Sequence, residues 1–244
     1  MKIKFLGTVG YFPTEHRHTS CVMLPEEGIA LDAGTGFFRV KNNIQTKKLD
    51  ILLSHYHPDH TFGLTFMLGV LYNQKPNVTI HGPKGIKGLE KRLNFPVKFK
   101  DHAFKIRLKK VEKEFMLGDV LVKTKFFPHK DELTTAYRLE KNGKSLCYLT
   151  DLVASDDEIG FIKNCDMLIH ECYFNEAYKE LAKTTSHSYT TQVASVAKKA
   201  GVKLLALYHL SPLLEEEKLL TYVGECEKIF KNTLLPYDNQ EVVI

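Results

Sequence analysis

The chain has no Cys-x-x-Cys pair, no apolar run long enough to cross a bilayer, no low-complexity stretch and no strict repeat. Its five cysteines (Cys21, Cys147, Cys165, Cys172 and Cys226) are odd in number and scattered. That argues against a disulfide framework and for a reducing cytoplasm. The most apolar stretch, Phe62 to Leu71, is too short for a membrane span and is broken by glycines. The start does not read as a secretory leader either. Lys2 to Gly7 reads as a strand running into a turn, without the long apolar core and small-residue cleavage site of such a segment. No sign of charge dominates: 34 basic residues against 29 acidic ones leave +5, which is compatible with an anionic substrate. Hydrophobic residues at 43% and charged residues at 26% are ordinary globular usage, which excludes a disordered tail, a collagen-like repeat and a membrane bundle. With no linker in sight, residues 1–244 read as one domain.

What the chain does have is short strands separated by turns. Lys2–Leu6, Ser20–Leu24, Ile29–Asp32, Leu49–Ser54 and Val78–His81 read as strands in the first half. Thr61–Asn73, apolar nearly all round, predicts a helix buried on most sides, and Pro83–Leu93 an amphipathic helix closed by Asn94 and Pro96. The second half repeats the theme with strands at Val120–Phe127, Thr135–Glu140, Ser145–Leu149, Met167–His170 and Leu204–Tyr208. Asn142-Gly143 signals a tight hairpin. Ser188 is positioned to cap a helix that ends at Gly201, and Leu214–Phe230 predicts a last amphipathic helix. Strands mixed with helices in both halves suggest two sheets packed together with helices outside. One faint symmetry supports this: Leu49–His55 and Val202–His209 each run a buried strand straight into a histidine.

The chain has eleven histidines, and their densest group is Ser54-His55-Tyr56-His57-Pro58-Asp59-His60. Pro58 prevents the strand from continuing and forces a turn. The His-x-His pair can aim two rings at one point, while Asp59 and His60 swing to a second point nearby. Imidazole and carboxylate without thiolate suit divalent Zn, Mn or Fe. The competing reading, a polar loop capping a strand and a helix, leaves the four potential ligands unexplained. Further candidates end apolar runs: His129 after Phe126-Phe127-Pro128, Asp151 after Tyr148-Leu149-Thr150, and His209 after Leu207-Tyr208. Side chains at strand ends converge at the mouth of a sheet.

On these residues the chain resembles the metallo-β-lactamase fold superfamily, whose H-x-H-x-D-H hallmark stands here as His55 to His60. Within it the chain is most similar to the ribonuclease Z (tRNA 3′-processing endonuclease) group and its phosphodiesterase relatives. The motifs that carry this include Phe5-Leu6-Gly7-Thr8, Arg17-His18-Thr19-Ser20, Leu31-Asp32-Ala33-Gly34-Thr35-Gly36, His81-Gly82-Pro83-Lys84-Gly85, His170-Glu171, His187-Ser188 and His209-Leu210-Ser211-Pro212. The resemblance implies an α/β fold, an αββα four-layer sandwich of two mixed β-sheets flanked by helices. It implies one metal held by His55, His57 and His129, a second held by Asp59, His60 and His209, and Asp151 bridging them. Two divalent ions, zinc first with manganese or iron as alternatives, would supply a bridging hydroxide that Asp59 orients. Glu171 and His187 match the pair in which the histidine donates a proton to the leaving group. Residue chemistry agrees with that role. His187 precedes a helix start, which predicts free backbone N–H groups nearby that favour a phosphate, and a carboxylate partner would keep the ring protonated.

The implied activity is phosphodiester hydrolysis, on RNA or on a small or cyclic phosphodiester, with no membrane partner and a homodimer as the implied assembly. The other readings are a carboxylic ester, thioester or lactone hydrolase on the same metals, and a non-catalytic metal-stabilised scaffold. One departure bears on substrate. Ribonuclease Z inserts a long tRNA-gripping arm between the third histidine motif and the bridging aspartate, and here only the Asn142-Gly143 hairpin separates His129 from Asp151. The stretch Lys84–Lys110, with ten basic residues against two acids, reads as a solvated face rather than a phosphate groove. His16 and His18 read as loop polarity, and His81, His102 and His170 as structural.

Overall fold

The computed structural model of the chain describes residues 1–93 and 104–244, and it divides into two compact units. The first comprises Met1–Glu112 with Tyr237–Val243, and the second Lys113–Pro236 with Ile244. His102, Asn94, Pro96 and part of the basic stretch lie outside the described residues.

The first unit carries a seven-stranded mixed sheet. Its strands are β1 (Lys2–Gly7), β2 (Cys21–Leu24), β3 (Ile29–Leu31), β4 (Lys48–Leu52), β5 (Asn77–Gly82), β6 (Ile106–Lys110) and the chain-terminal strand Glu241–Val243. The terminal strand, β1, β2 and β3 pair antiparallel in that order, and β3 to β6 continue in parallel. The parallel strands are apolar runs because both faces are covered: Ile29, Leu31, Ile51, Leu52, Val78 and Ile80 are all buried. Asp238 holds the terminal segment in this unit, accepting hydrogen bonds from the Thr8 hydroxyl (2.8 Å) and the His18 amide (2.7 Å) and pairing with Arg39.

The second unit repeats the plan with β7 (Glu114–Leu117), β8 (Val120–His129), β9 (Glu132–Lys141), β10 (Lys144–Leu149), β11 (Met167–Glu171), β12 (Leu205–Tyr208) and β13 (Thr233–Leu234). Strands β7 to β10 are antiparallel and β10 to β13 parallel. Asn142 and Gly143, at φ +51° and +72°, make the tight β9–β10 turn that their sequence predicts. Two antiparallel steps separate β8 from β10, so both run in one direction together with β11 and β12. The ends of these four strands therefore open on the same edge, and they carry His129, Asp151, Glu171 and His209. Helices Thr190–Lys199 and Glu216–Glu227 belong to this unit, the latter shorter than the predicted Leu214–Phe230. Two mixed sheets flanked by helices are the α/β class that the sequence suggests.

Two expectations change. Thr61–Asn73 is not one buried helix. It is a succession of short pieces, Phe62–Phe66 as a 3₁₀ turn and Met67–Leu71 as an α turn, with Phe62 and Tyr72 more than half exposed. Here the chain is tied to another segment: the Gly63 amide donates to the Ala33 carbonyl (2.8 Å), and a β-carbon at Gly63 would stand 2.3 Å from the Gly34 carbonyl oxygen. Ser188 does not cap the helix, whose N-cap is Tyr189. Its hydroxyl donates to the Leu152 carbonyl (2.7 Å) and accepts from the Ala154 amide (2.9 Å).

His170 is structural, as expected. It is fully buried, with Nε2 2.8 Å from a Glu158 carboxylate oxygen and Nδ1 2.7 Å from the Glu171 carbonyl. Two acceptors on one ring require two ring protons, the imidazolium form. Burial pushes the ring's pKa down, but the Glu158 carboxylate and the Glu171 carbonyl outweigh it, and the pKa is raised. A raised folded-state value means that this pair's stabilisation is complete below about pH 6.5, the unfolded value, and fades as pH rises through the folded one. Removing one partner of a buried pair costs about 3 kcal/mol. Urea denaturation should therefore show Glu158→Gln destabilised at pH 6 by about that amount, and by clearly less at pH 9. An equal loss at both pH values would mean that His170 is neutral in the fold.

Candidate functional site

In the first unit the site grows from the ends of β3 and β4. The chain leaves β4 through Leu53 and Ser54, passes His55 and His57 in extended conformation, and turns at Pro58 into a single helical turn, Pro58–Thr61. Pro58 sits at the first helical position, where its missing N–H is not needed. That turn swings Asp59 and His60 back toward His55. The His55 ring centroid lies 4.4 Å from His57 and 4.3 Å from His60. His60 Nε2 stands 3.3 Å from Asp59 Oδ2, which also accepts the Tyr11 amide at 2.8 Å. His55 and His60 are buried.

Behind the rings stands Asp32, which the sequence reading quoted only as part of a motif. It is fully buried and takes a left-handed backbone conformation, φ +57°, as the chain leaves β3. Its carboxylate accepts from the Ser54 amide (2.7 Å) and hydroxyl (2.8 Å), and faces His60 Nδ1 at 2.7 Å. The Ser54 hydroxyl also meets His55 Nδ1 at 3.0 Å. A carboxylate or hydroxyl on Nδ1 orients the ring and leaves Nε2 as the ligating atom, the arrangement that metal-binding histidines use. The available signal was an aspartate ending an apolar strand ahead of a glycine-rich turn.

The second unit assembles its part from four strand ends. Asp151 and His209 follow β10 and β12 in left-handed conformation, φ +55° and +49°. Each such residue costs about 1–2 kcal/mol for an L-amino acid, and the cost turns the side chain out of the strand direction. His129 Nε2 lies 3.6 Å from Asp151 Oδ1, and His209 Nε2 3.3 Å from Asp151 Oδ2. Ligand atoms sharing one zinc-sized ion with bonds of about 2.0–2.1 Å stand roughly 3.4 Å apart. The donor set thus fits cations, with one Asp151 oxygen turned to each histidine. All three residues are buried.

Glu171 ends β11, fully buried, and accepts from the Leu152 amide, the Ser188 amide (3.1 Å) and His187 Nδ1 (3.1 Å). Burial lowers the His187 pKa, but Glu171, with help from Asp151, outweighs it and raises the value despite opposition from Lys130. Asp151, His187 and His209 each offer a polar atom within 4.8 Å of the others. Of the amides around the helix start beside His187, three are engaged. The His187, Ser188 and Thr190 amides donate to the Ala182 carbonyl, to Glu171 and to the Phe174 carbonyl. Elsewhere among the described residues, His81 pairs with Asp50 (2.7 Å), and His18 meets the Thr35 hydroxyl (3.2 Å).

A family model described as a beta-lactamase superfamily domain matches residues 28–210. A protein named Ribonuclease Z from Nitrosopumilus maritimus (strain SCM1) is 28% identical, with all of both chains covered. That alignment runs over 300 positions against the 244 residues here, so the relative has residues without a counterpart in this chain. Among solved structures, the metallo-beta-lactamase fold protein YhfI from Bacillus subtilis superimposes with a TM-score of 0.84 at 20% identity, covering 99% of each chain. Human tRNase Z, short form, gives a TM-score of 0.79 at 23% identity, covering 100% of this chain and 99% of that one.

The Asp32 contacts generate a direct test. Asp32→Ala removes the group that orients His60 and should weaken retention of divalent zinc about 10- to 100-fold in competition with a chromogenic chelator. Retention equal to that of the unaltered protein would show that the Asp32–His60 contact is packing alone.

Proposed function

Because the chain belongs to the beta-lactamase superfamily domain family, we propose that it is a binuclear metal-dependent hydrolase that cleaves phosphodiesters, its two units together forming one catalytic domain. The observation that carries the choice of bond is the His187–Glu171 pair, a proton-holding imidazole on a fully buried carboxylate, set within 4.8 Å of Asp151 and His209. His55, His57 and His129 would hold one cation and Asp59, His60 and His209 the other, with Asp151 shared. When bound, the cations supply an activated water near neutral pH and neutralise phosphate charge.

The chain's own residues do the rest. Asp59, its Oδ2 oriented by the Tyr11 amide, accepts a hydrogen bond from the attacking water and aims it. Asp32 and Ser54 keep the His60 and His55 rings from turning. His187 delivers the proton from its Nε2 to the departing oxygen, while Glu171 on Nδ1 stabilises the charged ring until transfer. An alkoxide is a poor leaving group, so a separate acid is worth about 10²- to 10⁴-fold here. Ester, thioester or lactone cleavage needs it far less.

Several finer readings rest on the same base. The nitrogen and oxygen ligand set without thiolate favours zinc, with manganese or iron as alternatives. Five free, buried thiols suit a reducing cytoplasm, and no helix among the described residues is long and apolar enough to cross a membrane. The likeness to the Ribonuclease Z relative supports a nucleic-acid substrate, and a homodimer is the assembly that the resemblance to the ribonuclease Z group implies. The short path from β8 through the Asn142-Gly143 turn to Asp151 favours short or small phosphodiesters over folded tRNA precursors.

His187→Ala should reduce turnover of a dinucleoside phosphate at least about 100-fold. Turnover of bis(4-nitrophenyl) phosphate, whose leaving group needs no proton, should fall far less. Equal losses on both would remove His187 from the acid role, and preferential cleavage of a thioester would select the other bond. Prolonged dialysis against a strong chelator should abolish activity, and added zinc should restore it; activity that persists without metal contradicts the proposal.

A further inference from the structure

One ring contact in the second unit is not required by the ligand set or by the His187–Glu171 pair. Tyr173, two residues beyond Glu171, lies almost parallel to the His187 ring, with centroids 4.8 Å apart and planes 20° apart. His209 lies 5.6 Å from His187 at 23°, and Tyr173 5.9 Å from His209 at 43°, so the three centroids form a nearly equilateral triangle. Tyr173 is 8% exposed and firmly placed. Its carbonyl accepts the Tyr222 hydroxyl at 3.1 Å. The next residue, Phe174, bridges to Tyr189, donates its amide to the Ser188 carbonyl (3.2 Å) and accepts from the Thr190 amide (3.1 Å). The segment bearing Tyr173 is thereby tied to the segment bearing His187.

The His187 imidazole needs such a neighbour. The Nδ1 contacts to the two Glu171 carboxylate oxygens (3.1 and 3.4 Å) anchor one nitrogen of the ring but let its plane rock about that anchor, which would sweep Nε2 across an arc. A flat partner against the face removes that freedom. Burial alone would be met by any apolar side chain; a parallel aromatic face restricts the plane, and its π-density favours a cationic ring over a neutral one.

We propose that Tyr173 is a positioning residue for the proton donor: its ring face fixes the plane of His187 so that Nε2 points at the departing oxygen. This rests on the hydrolase reading above, and it extends that reading to a residue that neither binds metal nor transfers a proton. The readout is the ratio of dinucleoside phosphate turnover to bis(4-nitrophenyl) phosphate turnover in the metal-replete protein, because only the first leaving group depends on the acid.

Tyr173→Leu should lower that ratio about tenfold, within the range that small misplacement of a catalytic group produces. Tyr173→Phe, which keeps the ring face, should hold the ratio within about twofold. If the leucine protein does not fold, Tyr173→Met fills similar volume without a ring and should give the same fall. A wild-type ratio in the leucine or methionine protein, alongside a lowered ratio in His187→Ala, would overturn this inference and leave the hydrolase reading standing. An equal fall in Tyr173→Phe would also overturn it, since the ring face survives that change. A ratio unmoved by His187→Ala would sink the acid assignment and this inference with it.

Discussion

Buried carboxylates stand against imidazoles in both units: Asp32 behind His60, Asp151 beside His129 and His209, Glu171 on the partly buried His187, and Glu158 on His170. An isolated carboxylate in such surroundings would be expelled or protonated, and an isolated imidazole would lose its proton. Each pair makes the other member tolerable, and each fixes a ring in one orientation. The pairings differ in what the second nitrogen is left to do. On His170 it has an acceptor of its own, so the ring is fully committed to structure. On His60 and His187 the carboxylate faces Nδ1, and the proposed chemistry uses Nε2.

The strands supply the frame for this. Strands β3, β10 and β12 run as buried, largely apolar segments and then stop at a polar residue, and at Asp32, Asp151 and His209 the stop is a left-handed turn. Three such residues together cost about 3–6 kcal/mol, comparable to much of the net stability of an ordinary domain. That strain is tolerable because the strands behind it are buried on both faces. It is also selective, because a side chain leaving a strand at positive φ projects sideways over the sheet end rather than along it. Strained strand ends thus mark the site independently of any ligand.

Much of this was legible from residues alone. The run His55 to His60 announced a cation site because Pro58 must break the strand and because three imidazoles with a carboxylate have no simpler purpose. His129, Asp151 and His209 could be picked out because each ends an apolar run. Asp32 was harder, since one carboxylate in a glycine-rich turn looks like turn chemistry until its hydrogen bonds are seen. The Thr61–Asn73 helix misled because apolar composition says nothing about Gly63, whose amide donates to the distant Ala33 carbonyl and which packs against Gly34. Ser188 had the right identity for a cap, but its hydroxyl is used between Leu152 and Ala154, a long-range tie that no local pattern encodes. Tyr173 was invisible for the same reason: stacking on His187 depends on how two loops are joined.

The central claim is that imidazole and carboxylate groups, and no thiolate, hold a pair of cations. X-ray absorption on the zinc-loaded protein tests it most directly. The account predicts a first shell of nitrogen and oxygen at about 2.0–2.1 Å, outer-shell scattering from the five imidazoles of His55, His57, His60, His129 and His209 shared between two zinc ions, and two zinc ions per chain. A sulfur shell near 2.3 Å, or a single zinc without imidazole scattering, would contradict it.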